Sequence, residues 1–270
     1  MTTRKKLTVY DIQQAKIKGQ QLTEIFTVKP DEAKACEDAG IDIILTMTRY
    51  AKEMREAAPN TFLVLADNIN DPDIVSEEQA ISSGFKALND GADAYYTHLS
   101  HKLVAAMSRE HIPVVGHVGY IPYRGTWYGK ARAVGKKHEE AVWVYEETMA
   151  YQDAGAFAVE MEIVPYLIAD EIAKRVEIVI MSMGSGVGGD VQYLFATDVL
   201  GTNAGHVPRH AKIYGELLEA ERKVQELRVK ALAEFKKEVT EGVYPADNHL
   251  IPVNDKEYQA FLKSLKGNSK

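Results

Sequence analysis

Two glutamates two positions apart, Glu160 and Glu162, punctuate an otherwise apolar run over 156–164. On a strand, side chains alternate with period two, so both carboxylates fall on one face. Such a pair supplies a base and a ligand, or one member simply pairs with a lysine. Glu162 is nearer the C-terminal end of the run and is the better placed for a general base. Glu160 sits deeper, where a buried charge needs a partner. Asp67 closes a second apolar run, Phe62-Leu63-Val64-Leu65-Ala66. A carboxylate there suits a divalent metal or a substrate hydroxyl, and equally a turn or helix cap in Asp67-Asn68-Ile69-Asn70-Asp71-Pro72. His98 and His117 end two further runs. With Asp67 they would make a facial metal triad suited to Fe, Zn or Mn rather than Mg, although a lone histidine is as readily a structural residue. The run Met183-Gly184-Ser185-Gly186-Val187-Gly188-Gly189 could cradle a phosphate but lacks the lysine and spacing of a P-loop. It reads better as a flexible active-site loop, and it does not fit a nucleophile elbow.

These residues are useful only if something brings them together. Eight strand-like runs recur along the chain, at 22–27, 41–47, 61–66, 92–97, 112–117, 156–161, 176–182 and 192–196. Several are nearly continuous in Val, Ile, Leu and Tyr, as strands buried on both faces should be. Helix-like segments lie between them at 30–39, 77–89, 101–110, 139–153 and 165–175. Gly40, Gly91 and Gly155 each stand between a helix and a strand, as a left-handed helix terminus would require. The pattern Asp-Ala-Gly-Ile-Asp at 38–42 returns loosely at 89–93 and 153–157. Alternation of this kind, with no Gly-rich fingerprint after the first strand, points to a (β/α)8 TIM barrel rather than an open doubly wound sheet. In such barrels the reactive groups sit on loops at the C-terminal ends of the strands. That rule gathers Thr48, Arg49, Asp67, Asn68, Tyr96, His98, His117, Glu162 and Asp198 onto one rim. After the eighth run comes a long polar helix, about 210–241, then Gly242-Val243-Tyr244-Pro245 and a lysine-rich tail. The expectation is a single domain over 1–270 with a C-terminal helical extension from about 210.

The chain has 270 residues, close to the roughly 250 of one such barrel. A net charge of -7 and only short basic runs argue against a nucleic-acid partner, which needs clustered Lys and Arg. The lone Cys36 excludes an intrachain disulfide, fits a reducing cytoplasm and reads as a small buried hydrophobe. No run reaches the 18 or so apolar residues of a spanning helix, and the N-terminus leads into no apolar signal segment. The expectation is a cytoplasmic protein without a membrane partner.

The motifs Leu65-Ala66-Asp67, Glu78-Gln79-Ala80, Gly116-His117-Val118-Gly119, Glu162-Ile163-Val164-Pro165, Gly205-His206-Val207-Pro208 and Gly242-Val243-Tyr244-Pro245 come in an order and spacing that resembles the ketopantoate hydroxymethyltransferase family, of the phosphoenolpyruvate/pyruvate barrel superfamily. The resemblance runs from about Ile25 to His249. It implies transfer of a hydroxymethyl group from methylenetetrahydrofolate to a 2-oxo acid chelated by Mg2+, whose adjacent C–H is taken by a carboxylate base. It gives Glu162 the place of that base, Asp67 that of a carboxylate at the metal and His117 that of the histidine in the Gly-His-x-Gly motif. It also implies a homo-oligomer. The chain departs from the family after strands two and four. Thr48 and Arg49 replace Asp-Ser, Tyr96 replaces a substrate lysine, and His98 replaces a second metal-site carboxylate. Thr48, Arg49, Asp67 and Tyr96 are thus the candidate substrate contacts, and Asp67 with His98 the candidate metal ligands. His98 would shift the preference from Mg2+ towards Zn, Mn, Fe or Co. The reading is a carbon–carbon bond enzyme working through a metal-stabilised enolate. Its alternatives are a metal-free lyase or aldolase that binds a carboxylate through Arg49, and a non-catalytic barrel subunit.

Overall fold

The computed structural model describes residues 5–67 and 74–266. Asn68 and the rest of the expected turn after Asp67 lie outside the described residues. The chain divides into two compact units, Met1–Gly215 and Glu216–Lys270.

In the first unit, helix α1 (Val9–Ile17) precedes strand β1 (Leu22–Phe26), and α2 (Pro30–Ala39), β2 (Ile43–Met47), α3 (Ala51–Ala57), β3 (Phe62–Ala66), α4 (Glu77–Asn89) and β4 (Ala94–Tyr96) follow in alternation. The alternation continues through α5 (His101–Arg109), β5 (Val114–Gly119), the short α6 (Gly125–Tyr128), α7 (His138–Asp153), β6 (Ala158–Glu162), α8 (Tyr166–Ala173), β7 (Val179–Met183), β8 (Val191–Phe195) and the short α9 (Ala196–Val199). The eight strands pair in parallel, each with its sequence neighbours, and β8 returns to β1, so the barrel is closed. All eight expected strands are present, and the helices α2 and α4 begin and end where the sequence pattern placed them. Gly40, Gly91 and Gly155 have positive φ, which lets the chain leave each helix at once for the next strand.

Alternation on the strands separates two apolar layers. Leu22, Leu45, Val64, Ala66, Val115 and Met181 fill the barrel, while Ile44, Leu63, Leu65, Tyr95, Val114 and Met161 pack against the helices. Helix α1 has no counterpart in the sequence pattern, because its apolar positions are sparse. The Thr8–Asp11 capping box starts it, and Ile12, fully buried, joins the interior cluster beside Leu22 and Phe62 at the strand N-termini. That closes one end of the barrel and leaves the other for chemistry.

In the second unit, α10 (Leu217–Glu241) ends at Gly242 in the left-handed conformation and α11 (Asp255–Lys266) follows. The long helix begins at Leu217 rather than near His210, because 200–216 is coil and turn.

Candidate active site

The segment Gly116-His117-Val118-Gly119 shows why its residue types are needed. A Cβ on Gly116 would stand 2.5 Å from the Tyr151 ring of α7, so the helix packs this close only over glycine. Gly119 has φ +86°, and a Cβ there would meet the Glu162 carbonyl at 2.3 Å. With both glycines in place, β5 and β6 run in register with His117 beside Glu160 and Gly119 beside Glu162. After Glu162 the backbone turns through Ile163 at φ 50°, a costly conformation for a β-branched residue. Ser185 holds that turn. Its buried hydroxyl donates to the Met161 carbonyl at 2.8 Å and accepts from the Val164 amide at 2.9 Å. The glycine-rich run, expected as a flexible loop, therefore braces the candidate base. Its connection also packs close, with Gly189 over Ser182 and Ile180.

Inside the barrel, His117 Nε2 lies 3.1 Å from Glu162 Oε2 and 3.9 Å from Glu160 Oε1. The Tyr96 hydroxyl and His117 Nδ1 share a 2.6 Å hydrogen bond. Tyr96 also interacts with the Glu160 carboxyl. All four side chains border an interior cavity of about 90 Å3, whose remaining wall is mostly apolar: Phe26, Leu45, Ala66, Pro122, Met183, Tyr193 and Phe195. Burial pushes Glu162 up to about 8. It pushes Glu160 up to about 7, with the neighbouring Glu162 adding to the rise and His117 opposing it. Burial also holds His117 below the usual histidine range, chiefly neutral. The two glutamates thus exchange protons near neutral pH, which is what a general base needs.

Two members of this interior escape sequence reasoning. Glu24 of β1 is 2% exposed and carries a carboxyl raised by burial and then by Glu160. Tyr193 of β8 pairs in register with Glu24 and borders the cavity. The alternation Leu22–Glu24–Phe26 is the available signal, since its two apolar members both face inward.

The other candidates lie elsewhere on the rim. Asp67 follows β3 at the same end of the barrel as Glu162, but it turns towards the sheet–helix layer. Its oxygens accept from Thr48 Oγ1 at 3.0 Å and from the Tyr95 hydroxyl at 2.5 Å, and it is not among the residues bordering the cavity. Arg49 is exposed with its guanidinium 4.8 Å from the centre of the Tyr50 ring. His98 stacks on Tyr123, and burial lowers it to about 4. Its Nε2 is buried and has no hydrogen-bond partner among the described residues. A hydroxyl, an engaged carboxylate and one imidazole do not fit Mg2+, which asks for free oxygen donors in octahedral array. Among the described residues, the group close enough to hold a divalent cation is His117, Glu160 and Glu162, whose ligand atoms all lie within 4.8 Å of one another.

Comparison with known proteins bears on this site. The sequence model of the family described as ketopantoate hydroxymethyltransferase matches residues 7–247. A 3-methyl-2-oxobutanoate hydroxymethyltransferase of Thermus thermophilus is 31% identical over 271 residues, covering 90% of this chain and 98% of that protein. Among solved structures, 2,3-dimethylmalate lyase, described as a PEP mutase/isocitrate lyase superfamily member, superposes with a TM-score of 0.55 at 12% identity, covering 96% of this chain and 99% of that one. Phosphonopyruvate hydrolase in complex with oxalate and Mg2+ gives 0.50 at 14% identity over 97% and 99%. These likenesses agree on the barrel, and no helix among the described residues is long and apolar enough to cross a membrane. With its barrel closed, its Gly-His-x-Gly segment packed against Glu162 and nearly its whole length matched, the chain belongs to the ketopantoate hydroxymethyltransferase family.

Proposed function

We propose that this enzyme makes or breaks a carbon–carbon bond next to the carbonyl of a small 2-oxo acid, through an enolate formed by Glu162. The observation that carries the reading is a buried carboxyl, brought by burial to about 8, facing a small cavity beside a neutral histidine. Burial makes the ionised form a strong base, and the apolar wall keeps water from competing for the proton. His117 lies within hydrogen-bond distance of Glu162 and aligns it, and Tyr96 fixes the His117 ring from the other side. A cavity of this size suits a small branched acyl group better than a sugar or a nucleotide.

Arg49 is the proposed partner of the substrate carboxylate, with Thr48, Asp67 and Tyr96 as polar contacts to its oxygens. The family relationship supports 3-methyl-2-oxobutanoate as acceptor, methylenetetrahydrofolate as the one-carbon donor and a place in pantothenate biosynthesis.

Proton abstraction can be tested without the donor. In D2O the enzyme is expected to exchange the C3 hydrogen of 3-methyl-2-oxobutanoate, followed by NMR. Glu162→Gln should slow exchange by about 10²–10⁴-fold, the range of general acid–base catalysis. Equal exchange in enzyme and variant would remove Glu162 from the reaction.

A further inference from the structure

The barrel interior holds three carboxyl groups, Glu24, Glu160 and Glu162, at 2%, 4% and 5% exposure. Among the described residues bordering the cavity there is no lysine or arginine. Arg124, whose charge reaches His117, is itself paired with Glu147 at 3.6 Å. Glu24 points inward from β1 and receives no hydrogen bond from any described residue, although the charge of Glu160 bears on it. Buried anions at this density demand positive charge, from protons or from a cation.

The geometry favours a cation of one class. Zinc-type bonds of about 2.0–2.2 Å in a tetrahedron put ligand atoms about 3.4 Å apart. The separations from His117 Nε2, 3.1 Å to Glu162 and 3.9 Å to Glu160, straddle that value. The Tyr96 hydroxyl on Nδ1 orients the imidazole from outside, as the partners of metal-bound histidines do. One nitrogen among the donors favours Zn2+ or Co2+ over Mg2+. The mostly apolar walls of the cavity offer little to hold the several waters that Mg2+ retains.

We propose that His117, Glu160 and Glu162 form a site for a divalent cation of the Zn2+ or Co2+ class, separate from the rim residues Asp67 and His98. Filling the site withdraws Glu162 from proton transfer, so the cation inhibits. The location stands on geometry alone, and the inhibition rests on the role given to Glu162 above.

The test is a Co2+ titration of the metal-free full-length chain, read by visible absorption and by equilibrium dialysis. The expected result is one Co2+ per chain, undisturbed by a large excess of Mg2+. Affinity should fall by about tenfold or more in Glu160→Gln and His117→Ala and stay unchanged in Asp67→Asn and His98→Ala. X-ray absorption of the unmodified protein with Co2+ should show one imidazole in an otherwise oxygen shell, which frees the conclusion from the folding of any variant. Absence of bound Co2+, displacement by Mg2+, two imidazoles, or loss of binding on Asp67→Asn with retention in Glu160→Gln each overturns the site. Zn2+ should abolish deuterium exchange in parallel with occupancy, and full exchange with the site filled overturns the inhibition alone. If the metal-free enzyme exchanges no 2-oxo acid, the reading of its function fails while the titration still decides the site.

Discussion

At the scale of single residues, the base role proposed for Glu162 and its burial tie rate and stability to pH in opposite senses. A base must be ionised, and burial pushes this carboxyl up to about 8. The deuterium exchange rate of metal-free protein is therefore expected to rise with pH and level off above about 8; a plateau already reached at pH 5 would contradict it. The same burial has the opposite effect on stability. Glu160 and Glu162 keep protons in the folded chain up to about 7 and 8, whereas the unfolded chain gives them up near the ordinary carboxyl value of 4.5. Between those limits the folded state binds more protons, so stability falls as pH rises, with a slope of up to about 1.4 kcal/mol per pH unit for each group. Urea midpoints measured from pH 5 to pH 8 should decline, and the double variant Glu160→Gln, Glu162→Gln should flatten the decline. Because the two groups are neighbours, they titrate as a unit with His117 rather than as independent sites.

At the scale of elements, the site depends on loops that hold still. Ser185→Ala would strip a donor from the Met161 carbonyl and an acceptor from the Val164 amide, both in the buried turn after Glu162. Each orphaned group costs about 1–3 kcal/mol. The variant should lose stability in urea and show a lower exchange rate with little change in substrate affinity; a weaker affinity at full rate would argue against a bracing role. Gly119→Ala should be worse, since it combines a strained φ, costing about 1–2 kcal/mol, with a contact on the Glu162 carbonyl. How much of this is readable in the sequence depends on periodicity. The strands and the glycine-ended helices are readable because apolar runs of fixed length and left-handed termini leave a local signal. Glu162 and His117 are readable because they lie on strands whose alternation fixes direction. The heading of Asp67 is not, because it is decided one residue past its strand by the Tyr95 hydroxyl of a neighbouring strand. Glu24 escapes notice because a single carboxylate between Thr23 and Ile25 reads as exposed unless the inward Leu22 and Phe26 are counted with it.

At the scale of the whole molecule, the second unit raises a question the barrel does not. Helix α10 buries none of its 25 residues, and Val224, Leu227, Leu232, Phe235 and Val239 are exposed on it. Their spacing puts them on one side of the helix. In α11, Tyr258, Phe261 and Leu265 are exposed at the same helical spacing. A chain segment of this length rarely buries enough surface to hold a core unaided. A net charge of -7 also repels one chain from another, so association needs an apolar surface strong enough to overcome it. The stripe on α10 is the candidate for that surface, and a homo-oligomer is the expected state. Sedimentation at micromolar concentration should give a species larger than the 30.0 kDa of one chain. Leu232→Glu combined with Phe235→Glu places two more charges in the stripe and should shift the population to the single chain, with the barrel's circular dichroism unchanged. A wild-type monomer, or a variant that assembles as well as the wild type, would show that these apolar residues serve some purpose other than self-association.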